Sequence, residues 1–200
     1  IHQWYFQYII YHYIPLIRDS IIIAKNSGLT IPIIYNTSGY DRVESLKLLE
    51  GLIDIYLPDF KYYNDKLGKY SNISNYFETA SLALKEMYRQ VGKLRYNKDG
   101  ILVKGMIVRH LVLPNNYDDS KKIIKYLYDY YKDNIIISIM NQYTIIRKLE
   151  YSELNDKVDE KEYDEIINYA YDLGIRNAFI QEDSSQSDSF IPSFKGDMII

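Results

Sequence analysis

Residues 55–63 read IYLPDFKYY, and two of them can do chemistry. Asp59 and Lys61 stand two apart, so an extended chain points both side chains the same way. A carboxylate and an ammonium just past an apolar run can pair with each other or face a charged ligand. Three more apolar runs carry polar groups in or just beyond them. Asn36, Thr37 and Ser38 follow IPIIY, with Gly39 giving the chain room to turn; Arg109 lies in MIVRHLVLP; Asn141, Gln142 and Tyr143 follow IIISIM. On one rim these residues supply a carboxylate, two cations and several amides and hydroxyls. That set suits a zwitterionic or polyol ligand. Asp59 with Asn36 and Thr37 could also hold a hard cation through oxygen atoms. The plainer alternative is an ion pair, Asp59–Lys61 or Asp59–Arg109, that pins a loop.

The rest of the sequence is poorer in chemistry. His110 alternates with Arg109, so it faces the other way and reads as a core or helix-facing residue. His2 and His12 fall in an aromatic segment, 1–13, with no clear period, and no two histidines have helical metal-ligand spacing. No glycine-rich phosphate loop and no G-x-S-x-G elbow occurs. GKLRYNKDGILVKG (92–105) reads as a solvated basic loop rather than a phosphate site. The 200 residues contain no cysteine, which excludes disulfides, thiolate catalysis and a cysteine-held metal within them.

A rim needs elements that end together. Apolar spacing at three and four predicts a helix from Ile14 to a C-cap at Gly28. A short β-branched strand follows at 30–36, then a turn and helix ending at Gly51, and a strand over 52–60. A long amphipathic helix (71–92), a strand (105–114), a helix opened by Asp118 and Asp119 (118–133), a strand (134–143), a helix (159–174) and a last strand (177–181) complete the order. Strands apolar throughout, alternating with amphipathic helices, predict a parallel sheet covered by helices. Right-handed crossovers leave two shapes, an open doubly wound sheet or part of a barrel. In both, ligands bind at the carboxyl ends of the strands.

Composition sets the outer bounds. Hydrophobic residues make up 47% and charged residues 26%, as in globular domains, and the length fits one domain. The net charge of −3 argues against a nucleic-acid partner, because no broad basic field is available. Apolar runs such as 21–24 and 135–137 are too short to span a bilayer, and no export signal opens the chain, so the expectation is a cytoplasmic protein without a membrane partner. The 23 tyrosines read as compositional drift rather than a binding device.

Six stretches carry a resemblance. IPIIYNTSGYD, GLIDIYLPDFKY, EMYRQVG, MIVRHLVLPNN, ISIMNQY and NAFIQE resemble, in order, motifs of a branch of the radical S-adenosylmethionine proteins. That branch is similar to the pyruvate formate-lyase activating enzymes. The resemblance implies an α/β fold, a partial (β/α) barrel of radical SAM type with a mostly parallel sheet and helices outside. Its body would span 14–182, with the N-terminal strands missing, 1–13 unplaced and 183–200 a surface tail.

The resemblance also implies roles. The family's DTNG strand end is similar to Asn36-Thr37-Ser38-Gly39, and its LDLK to Pro58-Asp59-Phe60-Lys61. There the first element and the aspartate help form a cation site near the methionyl carboxylate, which the lysine approaches. The arginine of IRYVVVPG corresponds to Arg109. The LLPYH region falls near Met140–Tyr143, where Gln142 and Tyr143 stand and the histidine is absent. S-adenosyl-L-methionine and a [4Fe–4S] cluster are the implied cofactors. The cluster's Cys-x3-Cys-x2-Cys segment precedes everything matched here, so these residues do not ligate it. The implied activity of the complete protein is reductive cleavage of S-adenosylmethionine to a 5′-deoxyadenosyl radical and hydrogen abstraction. An electron donor and a glycyl-radical-type protein substrate are the implied partners. The other reading is a non-catalytic remnant or binding module that docks with another chain.

Overall fold

The computed structural model describes residues 2–143 and 149–180, and of residues 2–12 the backbone alone. Among these residues six strands form one sheet: β1 (Ile34–Thr37), β2 (Ile55–Pro58), β3 (Arg95–Tyr96), β4 (Leu102–Leu111), β5 (Ile136–Met140) and β6 (Ala178–Ile180). Five of them run in the order β1-β2-β4-β5-β6, and every pair along that path is parallel. A doubly wound sheet reverses its strand order at a switch point, and this one does not. Strictly sequential order with right-handed crossovers puts the connecting helices on one face, as in a segment of a barrel. The short β3, inside the segment expected to be a loop, pairs antiparallel with β4.

The connecting helices are α2 (Val43–Lys47), α3 (Tyr76–Val91), α4 (Tyr117–Tyr131) and α5 (Glu160–Asp172). Each sends an apolar stripe into the core: Leu46 from α2, Ala80, Leu84 and Met87 from α3, Ile123 and Leu127 from α4, Ile166 and Ala170 from α5. They meet Tyr35, Tyr56, Met106, Val108, Ile137 and Ile139 of the sheet. Along β4 burial alternates, Met106, Val108 and His110 inward and Ile107, Arg109 and Leu111 half-buried. The helices cover the sheet as the alternating pattern predicts, on one face. Among the described residues the helix face is closed, whereas on the other face Ile55 and Ile136 are buried and Leu57, Ile107, Leu111 and Met140 are half-buried.

The first helix, α1 (His2–Asn26), starts well before the expected Ile14. Pro15 therefore sits inside it rather than in its first turn, and one internal hydrogen bond is lost there. Ile14, Ile17 and Ile21 pack on the core at helical spacing. Gly28, at φ +100°, ends the helix as the sequence implied. The expected course of the tail, 183–200, lies outside the described residues. Among the described residues no helix is long and apolar enough to cross a membrane.

Candidate functional site

The site is built where β1, β2 and β4 end. The Asp59 N–H donates to the Thr37 carbonyl at 2.9 Å, and the Phe60 N–H to the Arg109 carbonyl at 2.8 Å. These bonds carry the parallel ladder one step past the strands, so Asp59 lies beside Arg109. Above Asp59 the β1 turn passes so closely that a Cβ on Gly39 would stand 1.9 Å from the Asp59 carbonyl oxygen. Gly39 also has φ +79°, where L side chains are strained. Glycine is the residue that fits both demands.

Two buried side chains hold the Asp59–Lys61 loop from below. The Tyr76 hydroxyl accepts the Lys61 N–H at 2.8 Å and lies 3.3 Å from the carbonyl oxygens of Ser38 and Asp59. Burial drives its pKa far up, so it stays a neutral donor and acceptor. His110 sits between the Phe60 carbonyl, 2.9 Å from Nδ1, and the Ser120 hydroxyl, 2.9 Å from Nε2. A carbonyl only accepts, so Nδ1 carries the proton and Ser120 donates to Nε2. Burial lowers the imidazole pKa to about 4, which keeps it neutral. The core role expected for His110 is the one the structure gives it.

With the loop fixed, the side chains converge. Arg109 Nη2 lies 2.7 Å from Asp59 Oδ1 and 2.7 Å from Asn36 Oδ1. Lys61 Nζ stands 3.9 Å from the other carboxylate oxygen, Oδ2. The three charged side chains keep 25–29% of their surface open to solvent. Desolvation pulls the Lys61 pKa down, Asp59 opposes that shift and Arg109 adds to it. Two cations against one carboxylate leave the cluster with net positive charge. Asn36 Oδ1 and Asp59 Oδ1, two of the oxygens considered for a hard cation, are taken by the guanidinium. Among the described residues no group of three His, Asp or Glu is placed to hold a metal ion.

The other sequence candidates have surroundings of their own. Thr37 is buried, and its hydroxyl donates to the buried carboxylate of Asp41, which Tyr35 also donates to at 3.2 Å. Burial raises the Asp41 pKa to about 6, with Thr37 and Tyr35 holding it partly down. Ser38 Oγ and Arg109 Nε are shielded from solvent without a hydrogen-bond partner among the described residues. Gln142 is exposed beyond β5, and the Tyr143 hydroxyl donates to the Leu154 carbonyl at 2.7 Å. The structure thus brings Asn36, Asp59, Lys61 and Arg109 into one group, with Thr37 and Ser38 in the turn behind it. A neighbouring cleft of about 410 Å³, lined by Asn64, Asn116, Asp118, Lys121 and Glu162 among others, opens at the start of α4. None of the four clustered residues lines it, and the chemistry stays with the cluster.

Tyr76 and Asp41 are the site residues that sequence reasoning missed. Asp41 sits in the IPIIYNTSGYD stretch, where the sequence predicts only a turn and a helix, and Tyr76 is one of 23 tyrosines.

The chain is similar to an uncharacterized protein of Methanocaldococcus jannaschii, 28% identical over 163 residues. The match takes in 80% of this chain but 42% of that protein, so the chain spans about two fifths of the relative's length. Its fold is similar to a domain of pyruvate-formate lyase-activating enzyme from Bacteroides vulgatus, with a TM-score of 0.59 over 86% of this chain and 93% of that one. Sequence identity in that comparison is 13%, so it speaks for the fold alone. No family model matches the chain.

Proposed function

We propose that this chain is part of a radical S-adenosylmethionine protein resembling the pyruvate formate-lyase activating enzymes, and that its rim holds the methionyl end of S-adenosylmethionine. The observation that carries this reading is the convergence of Asn36, Asp59, Lys61 and Arg109 from three adjacent strand ends. Likeness of fold to a domain of such an activating enzyme supports it.

The donor set fits an amino-acid zwitterion. Lys61, whose ammonium stands 3.9 Å from Asp59 Oδ2, would meet the ligand's carboxylate. Asp59 offers an acceptor to the ligand's ammonium. Arg109 holds Asp59 and Asn36 in place and adds positive potential. Partial burial strengthens these interactions over those in bulk water. When bound, S-adenosylmethionine would bring the sulfonium whose cleavage is the family's chemistry. The half-exposed face carrying Leu57, Ile107 and Leu111 would receive the rest of the ligand.

An iron–sulfur cluster does not fit these residues. It takes thiolate ligands, and the 200 residues contain no cysteine. No step through a cluster is assigned to this chain. An electron donor and a glycyl-radical-type protein substrate belong to the complete protein in this reading.

One observation favours the second reading, a binding module that docks with another chain. Arg109 already holds Asp59 Oδ1 and Asn36 Oδ1, and the half-buried sheet face would suit a protein partner as well as a cofactor. Calorimetric titration with S-adenosylmethionine separates the two. On the cofactor reading the parent chain binds and Lys61→Ala binds on the order of tenfold more weakly. Equal binding by both, or none by the parent, favours the module.

A further inference from the structure

We propose that the β3–β4 hairpin, residues 92–105, is a docking element for an acidic surface on a partner protein. It lies at the end of the sheet opposite the candidate site. Gly105 pairs with Ile55 at the start of β2, whereas Asp59 and Arg109 lie at the carboxyl ends.

The hairpin holds Lys93, Arg95, Lys98 and Lys104 against one acid, Asp99, in a chain whose net charge is −3. Several cations elsewhere are paired: Lys69 with Glu153, Arg89 with Glu50 and Glu86, Lys125 with Asp129. None of the four hairpin cations has an ion-pair or hydrogen-bond partner for its side chain among the described residues. Arg95 and Lys104 are also direct partners across the antiparallel ladder. Like charges at facing positions destabilise a ladder. The fold gains nothing from this arrangement, and an acidic partner would neutralise it.

The cations stand on a fixed frame. The Asn97 side chain accepts the N–H groups of Asp99 and Ile101, and the Asn97 N–H donates to the Ile101 carbonyl, which closes the turn. At the root, Leu94 crosses Gly105 so closely that a Cβ there would stand 2.8 Å from its Cδ2. Between the cations Tyr96 is 51% exposed and Ile101 61% exposed. Arg95 and Tyr96 are of the types enriched in protein interfaces, and the lysines around them suit a charged rim. A nucleic acid calls for a broader basic field than an acidic chain offers. A membrane surface calls for a larger apolar face than these two side chains make.

A fluorescently labelled polyglutamate peptide is a suitable probe, titrated at low salt by anisotropy. Three chains are compared: the parent; Lys93→Ala, Arg95→Ala, Lys98→Ala and Lys104→Ala combined; and a control neutralising Lys66, Lys122, Lys157 and Lys161. The hairpin variant should bind on the order of tenfold more weakly, with the control near the parent. Equal losses in the two variants would overturn the proposal, as would no loss in the hairpin variant. So would tighter binding of a single-stranded RNA or of anionic phospholipid vesicles than of polyglutamate. Hydrogen exchange on the parent chain gives a check that needs no variant. Polyglutamate should slow exchange between residues 93 and 104, and protection only elsewhere would also overturn the assignment.

Discussion

Arg109 Nη2 lies 2.7 Å from Asp59 Oδ1, across the ends of neighbouring strands, and Asn36 Oδ1 takes the same nitrogen at the same distance. The nitrogen has two protons, and both are used. The guanidinium therefore works as a clamp among three strand ends, while Lys61 stands off at 3.9 Å. Arg109→Met leaves two oxygens without their donor, but both remain partly solvated. The expected loss is about 1 kcal/mol in urea denaturation. A loss several times larger would mean that the clamp carries the fold and not just the rim.

Tyr76 is buried and ties Lys61 to the turn after β1. Tyr76→Phe keeps the ring and leaves the Lys61 N–H without its acceptor. Stability should fall by about 1–3 kcal/mol, the penalty for an unsatisfied buried donor. An unchanged denaturation midpoint would show that the N–H finds another partner.

Gly39 and Gly51 have nearly the same backbone angle, φ +79° and +78°. A Cβ at Gly51 meets nothing within 4 Å, whereas at Gly39 it strikes the Asp59 carbonyl. Gly51→Ala should cost about 1–2 kcal/mol, the strain of a left-handed L-residue. Gly39→Ala should cost clearly more, read as a lower thermal midpoint. Similar losses at the two positions would remove the argument that the turn is wedged against Asp59.

His110 and Asp41 oppose each other in acid. The folded pKa of His110 is lowered to about 4, so its contribution is full above the unfolded value near 6.5 and is lost as pH falls towards 4. The folded pKa of Asp41 is raised to about 6, so its contribution runs the other way and stability is gained as pH falls from 6 towards 3.8. Asp41→Asn removes the compensation. Between pH 6.5 and 4 the variant should lose on the order of 2–3 kcal/mol more than the parent does. Parallel stability-against-pH curves would contradict this.

Much of this architecture can be read from the residues. Ile55-Tyr56-Leu57 and Ile135–Ile137 identify strands, and helices of spacing three and four between them imply a parallel sheet. Asn36, Asp59 and Arg109 stand out because a polar group at the end of an apolar run has to meet something. What escaped is what composition hides. Tyr76 does its work through a backbone N–H fifteen residues earlier. Thr37 is turned to Asp41, a contact that a turn sequence does not reveal. Strands apolar throughout imply a sheet covered by helices, yet Ile107 and Leu111, on the face away from the helices, are half-buried. Period-two logic tells which residues share a face, and it is silent on what covers that face.

The most direct measurement compares S-adenosylmethionine with its decarboxylated analogue, by calorimetry, on the parent chain and on Lys61→Ala. If the rim grips the methionyl carboxylate through Lys61, the parent prefers S-adenosylmethionine on the order of tenfold and the variant shows no preference. The same preference in both chains would contradict the assignment of this rim.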